Sequence, residues 1–245
     1  MNALEKIDFI SSWIDNYAKS HNISSLVIGI SGGIDSAVTS TLCAKTGINT
    51  FVVSMPILDH QVLNNRGSNH IKWLKDNFNN IENIDANLSG VFKSFQDTLN
   101  NNNSEHGFAN SQARLRMTTL YRIAASNHGI VVGTGNKVED FGIGFYTKYG
   151  DGGVDISPIA DLMKTEVWEL GRELNILKSI IDAPPTDGLW EDGRTDLDQL
   201  GGLNYEQLEE AMQDSDSPYF RKYSKIRKLN LHKMKPIPIY KKDEK

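Results

Sequence analysis

Residues 28–36 read Ile-Gly-Ile-Ser-Gly-Gly-Ile-Asp-Ser, between an apolar β-branched run and a stretch that resumes as helix. Small glycines at such a bend let backbone N–H groups approach an anion closely. The first turn of the following helix adds unpaired N–H groups and the positive end of its dipole. Ser31 and Ser36 add hydroxyl donors, so the segment reads as an anion nest of the pyrophosphate kind. Asp35 lies inside that nest. A carboxylate there repels a phosphate unless a divalent cation sits between them, and Mg²⁺, which binds through one or two carboxylates plus phosphate oxygens, meets the need. The competing reading is a bare strand-to-helix turn with Asp35 as an N-terminal helix acid. The length and specificity of the string weigh against it. No Gly-Lys-Ser/Thr follows, so this is not a Walker A loop. The glycine spacing is not GxGxxG either, which disfavours a Rossmann dinucleotide site.

The elements that must hold this loop follow from hydrophobic periodicity. Leu4, Ile7, Ile10, Ile14 and Tyr17 predict an amphipathic helix over 3–20, ended by Asn22. Apolar runs predict buried strands at 25–30, 49–55, 81–85 and 130–133. Helices are expected at 35–45, with Gly47 as its cap, and at 60–78, 88–99 and 110–128. The last carries Met117, Leu120, Tyr121 and Ala124 on one stripe. Asn100–Ser104 reads as a loop, and the Gly- and Asp-rich stretch 141–155 as a functional loop or linker. Further helices are expected near 163–174, 176–182, 204–213 and 217–229. Alternation of strand and helix predicts an α/β fold: a doubly wound, open parallel sheet flanked by helices, with a mainly helical C-terminal part. We expect one domain over 1–245, with its core at about 22–160 and the helical part at about 161–245.

A composition 39% hydrophobic and 23% charged is that of an ordinary globular chain. The single cysteine, Cys43, excludes an internal disulfide. With no charged-plus-apolar leader, this predicts a cytoplasmic protein. Among Ala37, Val38 and Leu42, Cys43 reads as a buried small hydrophobe rather than a reactive thiol. No apolar run is long enough to span a membrane. Net charge is −5 but uneven: residues 182–216 carry eleven acids and one base, residues 219–245 ten bases and two acids. The basic tail is either a solvated surface or a partner for an anionic ligand or an acidic neighbour. Nucleic acid is disfavoured, since the chain is acidic overall and lacks a basic stripe interleaved with aromatics.

Ser-Gly-Gly-Ile-Asp-Ser at 31–36 resembles the PP-loop of the N-type ATP pyrophosphatases, whose members cut ATP between its α and β phosphates. Further segments narrow the resemblance to the ammonia-dependent NAD synthetases. They are QARLRMTTLY at 112–121, VVGTGNKVE at 131–139, YTKYGDGGVDISPIADLMKTEV at 146–167, APPTDGL at 183–189 and LHKMKPIP at 231–238. They stand in that family's order and cover essentially the whole chain. One residue more than the family pattern separates Glu139 from Lys148.

The resemblance implies a ligase that amidates deamido-NAD with ammonia, consuming ATP with Mg²⁺ through an adenylated nicotinate carboxylate. It implies that Gly29, Ile30, Ser31, Gly32, Gly33, Ile34, Asp35 and Ser36 hold the ATP phosphates. Asp35 and Glu139 bind Mg²⁺, and Thr134, Lys164 and Thr186 are further ATP contacts. Asp35, Glu139 and Lys164 would carry the catalysis. Arg114, Lys148, Asp155, His232 and Lys233 match the deamido-NAD contacts; Asp155 would accept from ribose hydroxyls or face the cationic ring. A homodimer with the dinucleotide site at its interface is implied, with the helix at 111–128 as a candidate interface or simply packed on its own sheet. The stretch 142–153 and the loop 100–107 are expected to order around nucleotides. No several-hundred-residue region that could be a glutaminase is present in the sequence, which points to free ammonia. A thiolating PP-loop enzyme fits poorly, because Cys43 stands alone in a helix. A guanylate-amidating one would lack the stretch at 146–153. A non-catalytic ATP sensor would not need Glu139 or Lys148.

Overall fold

The apolar runs pair into one four-stranded, all-parallel sheet in the order β3-β2-β1-β4, with β1 Ser25–Gly29, β2 Asn49–Ser54, β3 Ile81–Asp85 and β4 Gly129–Val131. The computed structural model describes residues 1–58, 60–99, 104–190, 192 and 194–242. Register is fixed by Val27 opposite Val131 on one side and Ile28 opposite Val52 on the other.

Alternate residues of each strand feed two cores, as the two-residue period demands. Leu26, Ile28, Val52 and Ile130 meet α1 (Ala3–Ser20), α2 (Ile34–Lys45), α3 (Gln61–Asn77) and α6 (Lys164–Glu173). Val27, Phe51, Val53 and Val131 meet α4 (Ser89–Thr98) and α5 (Glu105–Ser126) on the opposite face. Both faces are covered, so the sheet is doubly wound as expected. A third cluster joins Val138 and Ile143 to Leu200, Leu203, Tyr205, Leu208 and Tyr223. It gathers α8 (Asp196–Gln199), α9 (Tyr205–Gln213) and α10 (Phe220–Met234) around the segment that follows β4; α7 (Lys178–Ile181) packs with α2 and α6.

Several boundaries differ from expectation for local reasons. Asn2 caps α1 through a capping box with Glu5, and the buried stripe is Ile7, Ile10, Ile14 and Ala18; Leu4 faces solvent. Ser104 accepts from the Gly107 backbone N–H and starts α5 early, so 105–107 are helical rather than loop; 100–103 lie outside the described residues. The stripe on α5 packs on its own sheet. Strand β4 is short, extended only by a bridge between Val132 and Ile156. Lys137–Ile143 is π-helical. No helix among the described residues is long and apolar enough to cross a membrane.

The chain leaves β1 toward β2 on one side and returns to β4 on the other. This reversal opens a crevice at the carboxyl ends of β1 and β4, where open α/β sheets bind ligands.

Candidate active site

The phosphate loop occupies that crevice. Gly33 is the N-cap of α2 and supplies no side-chain cap, so the first-turn N–H groups lack a side-chain acceptor among the described residues. The two serines brace the loop: Ser36 Oγ donates to the Gly33 carbonyl at 3.0 Å and lies 3.0 Å from Ser31 Oγ, while the Gly33 N–H donates to Ser31 Oγ at 3.2 Å. Gly32 has φ +84°, and a Cβ there would stand 2.5 Å from the Leu63 carbonyl oxygen of α3. Only glycine lets α3 lie this close to the loop.

A cavity of about 310 Å³ opens beside it. Of the residues expected to contact ATP, Gly29, Ile30, Ser31, Gly33, Ile34, Asp35, Ser36, Thr134, Lys164 and Thr186 line it, together with Glu139. Gly32 is the exception and faces α3. Met55, Pro56, Ile57 and Leu58, after β2, supply an apolar wall.

Three segments far apart in sequence converge at the cavity floor. Lys164, the first residue of α6, is 2% exposed. Its ammonium donates to Asp35 Oδ2 at 2.5 Å and to Glu139 Oε1 at 2.8 Å. It also lies 4.8 Å from the centre of the Tyr205 ring. Burial acts against its charge, but the two carboxylates outweigh burial and hold Lys164 above the ordinary lysine value. Burial likewise opposes the Glu139 charge, and here Lys164 and the Tyr205 hydroxyl prevail, so Glu139 sits below its usual range. Asp35 is raised by burial, which Lys164 only partly offsets.

Five residues of this centre were not singled out by the sequence. Asn136 is fully buried, donates to Asp35 Oδ1 at 3.0 Å and caps the π-helical segment by accepting from the Val138 and Glu139 N–H groups. An Asn ahead of an acid-bearing helix is a capping signature, and was the one clue available. Tyr205 donates to Glu139 Oε1 at 2.6 Å and lies 2.7 Å from Asp196 Oδ2. Asp196 is pushed up to about 7, first by burial and then by the Glu139 charge. Glu209 of α9 accepts from the Thr165 N–H at 2.9 Å and from its hydroxyl at 2.7 Å, so it fixes the first turn of α6, which carries Lys164. Arg116, held by the Met55 carbonyl at 3.2 Å and lowered by burial to about 10, also lines the cavity.

The residues matched to the dinucleotide do not line this cavity. Arg114 is exposed on α5 and donates to the Lys148 carbonyl at 3.3 Å. Asp155 accepts from the Val131 N–H at 2.7 Å and from the Tyr121 hydroxyl at 3.1 Å. Lys233 donates to the Tyr146 carbonyl at 2.6 Å, and His232 is exposed beside it on α10. The structure thus gathers the expected ATP contacts at one point and sets the other five along α5, the 146–155 loop and α10. The described residues hold no group of three or more His, Cys, Asp or Glu side chains able to bind a metal. Two carboxylates converging on one ammonium would suit Mg²⁺, a cation that binds through one or two carboxylates and otherwise through water or phosphate oxygens.

The family model described as NAD synthase matches residues 6–239. The chain is 37% identical over 241 residues to the NH(3)-dependent NAD(+) synthetase of Mesoplasma florum, with 95% of each chain covered. It is 30% identical to a solved NMN synthetase from Francisella tularensis, with a TM-score of 0.89, 98% of this chain and 99% of that one covered. The NH3-dependent NAD synthetase of Campylobacter jejuni shares the fold at a TM-score of 0.78 and 24% identity, with 98% of this chain and 100% of that one covered.

Proposed function

Because the chain belongs to the NAD synthase family, we propose that it is an ATP- and Mg²⁺-dependent ligase that amidates the nicotinate carboxylate of deamido-NAD with ammonia. The observation that carries this reading is the meeting of Asp35, Glu139 and Lys164 beside an uncapped helix N-terminus in one cavity. A carboxylate is a poor acyl donor, so it must first be activated. Its oxygen attacks the α-phosphorus of ATP, the bond to the bridging oxygen breaks, and pyrophosphate leaves. Ammonia then adds to the acyl carbon of the adenylate, the carbon–oxygen bond to AMP breaks, and the nitrogen sheds a proton.

The chain's own groups serve these steps electrostatically. The loop from Gly29 to Ser36 offers N–H groups and hydroxyls to the β and γ phosphates. Thr134 and Thr186 border the same cavity with hydroxyl groups. Lys164 holds the two carboxylates together and offsets their charge at the floor of the cavity. Mg²⁺ held by Asp35 and Glu139 would supply positive charge against the polyphosphate. Arg114, Lys148, Asp155, His232 and Lys233 lie outside the ATP cavity, which favours a dinucleotide site completed by a second copy of the chain.

A second reading takes the mononucleotide: amidation of nicotinate mononucleotide to NMN. The fit to the Francisella tularensis NMN synthetase favours it. Both readings share the ATP chemistry and differ in the substrate beyond the nicotinate ribose phosphate. Incubation with ATP, Mg²⁺ and ammonium, with either deamido-NAD or nicotinate mononucleotide, separates them through AMP release and the amidated product. Release of AMP with neither substrate would refute amide synthesis on both. A parallel arm with glutamine in place of ammonium should give no product.

A further inference from the structure

We infer that Tyr205 is a positioning residue for the metal-facing carboxylate of Glu139, with Asp196 as its buttress. The inference rests on the reading of Glu139 as a Mg²⁺ ligand. Glu139 projects from a π-helical segment, a geometry found often at functional sites. One of its oxygens, Oε1, accepts from Lys164 at 2.8 Å and from Tyr205 at 2.6 Å. Lys164 is shared with Asp35 and is drawn toward any phosphate that enters the cavity. Tyr205 carries no charge for a phosphate to draw away. It is 5% exposed, stacks edge-on against Trp168 at 5.9 Å, and comes from α9, an element outside the phosphate loop.

The phenol faces two carboxylate oxygens, Glu139 Oε1 and Asp196 Oδ2, yet has one proton to give. The arrangement closes only if the second proton sits on Asp196. A neutral Asp196 donates to the phenol oxygen, and the phenol proton is thereby committed to Glu139. Asp196 is 5% exposed, and its other oxygen is buried with no partner among the described residues, a setting that tolerates a neutral acid far better than a charge. The chain Asp196, Tyr205, Glu139 therefore aims an ionised carboxylate into the cavity when Lys164 lets go. Partners one shell behind a metal ligand act in this way on ligands generally.

The test is the affinity for Mn²⁺ in the presence of α,β-methylene-ATP, read by electron paramagnetic resonance on the intact chain, with thermal unfolding as a control. Tyr205→Phe keeps the ring over Lys164 and against Trp168 and removes only the hydroxyl. It should weaken Mn²⁺ binding about 10- to 100-fold and raise the KM for Mg²⁺ more than it lowers kcat. Asp196→Ala should weaken Mn²⁺ less, and Asp196→Asn, whose amide still donates to the phenol, should restore wild-type binding. Glu139→Gln should abolish the nucleotide-dependent site. Loss of Mn²⁺ in Glu139→Gln with wild-type binding in Tyr205→Phe and both Asp196 variants overturns the inference alone. Wild-type Mn²⁺ binding in Glu139→Gln overturns the metal reading beneath it. Equal loss in Asp196→Asn and Asp196→Ala overturns the assigned proton.

Discussion

Lys164→Met removes the cation that faces both Asp35 and Glu139 and leaves a side chain of similar length. In the wild type the ammonium is 2.5 Å from one carboxylate and 2.8 Å from the other, and the lysine side chain is 3% exposed. Deleting one partner of a buried ion pair costs about 3–5 kcal/mol, because the remaining charge is stranded. The side chains of Asp35 and Glu139 keep 18% and 16% exposure toward the cavity, so water reaches them and the lower end, about 3 kcal/mol, is expected. That is a large share of a typical stability of about 5–15 kcal/mol. The sign of the pH dependence follows from the stranded acids. Without Lys164 their folded pKa values rise above the unfolded ones, so the penalty is absent when both states are protonated and grows as pH rises through the unfolded values. Urea unfolding at about pH 8 and about pH 5 should therefore show the larger deficit at the higher pH. Mg²⁺ should recover part of the loss at the higher pH, since it binds the folded pair and not the unfolded chain. A deficit under about 1 kcal/mol at both pH values, or one that ignores pH and Mg²⁺, would refute the reasoning that Lys164 neutralises a buried carboxylate pair.

Gly32→Ala should lose turnover and raise the KM for ATP. Its Cβ would press on the Leu63 carbonyl at 2.5 Å and on the Gly67 nitrogen at 3.1 Å from a left-handed backbone, a conformation that alone costs roughly 1–2 kcal/mol. ATP kinetics and a melting curve like the wild type's would show that α3 does not fix the loop. His70 gives a separate pH signature. It is fully buried against Ser40 and Trp73, and burial pushes its pKa down to about 4 from 6.5. The unfolded chain binds the proton first, so stability should fall as pH drops from about 6.5 to about 4, by roughly 3 kcal/mol, and level off below. His70→Gln should flatten that part of the profile in urea titrations; an unchanged slope would assign it to other groups.

The sequence alone determined the glycine-rich bend at 28–36, the parallel doubly wound sheet and the elements that carry them. Each is written in short-range terms: β-branched runs of four to six residues, glycines at a strand-to-helix bend, and a helical apolar period. Asp35 stood out in the sequence as the one acid inside that glycine-rich loop, which is what carries its proposed metal role. Lys164 and Glu139 were legible only through family resemblance, since a lysine at a helix start and a glutamate after a strand are ordinary surface residues by local rules. Tertiary structure alone decided that Asp35, Glu139 and Lys164 meet at hydrogen-bonding distance across 129 and 25 residues of sequence separation. It also decided that Tyr205 and Asp196 stand behind them, and that Glu209 holds the α6 turn that presents Lys164. No periodicity encodes such pairs. They arise where the crevice at the ends of β1 and β4 is closed by helices packed around the π-helical segment, and the burial created there gives three ordinary charged side chains their shared chemistry.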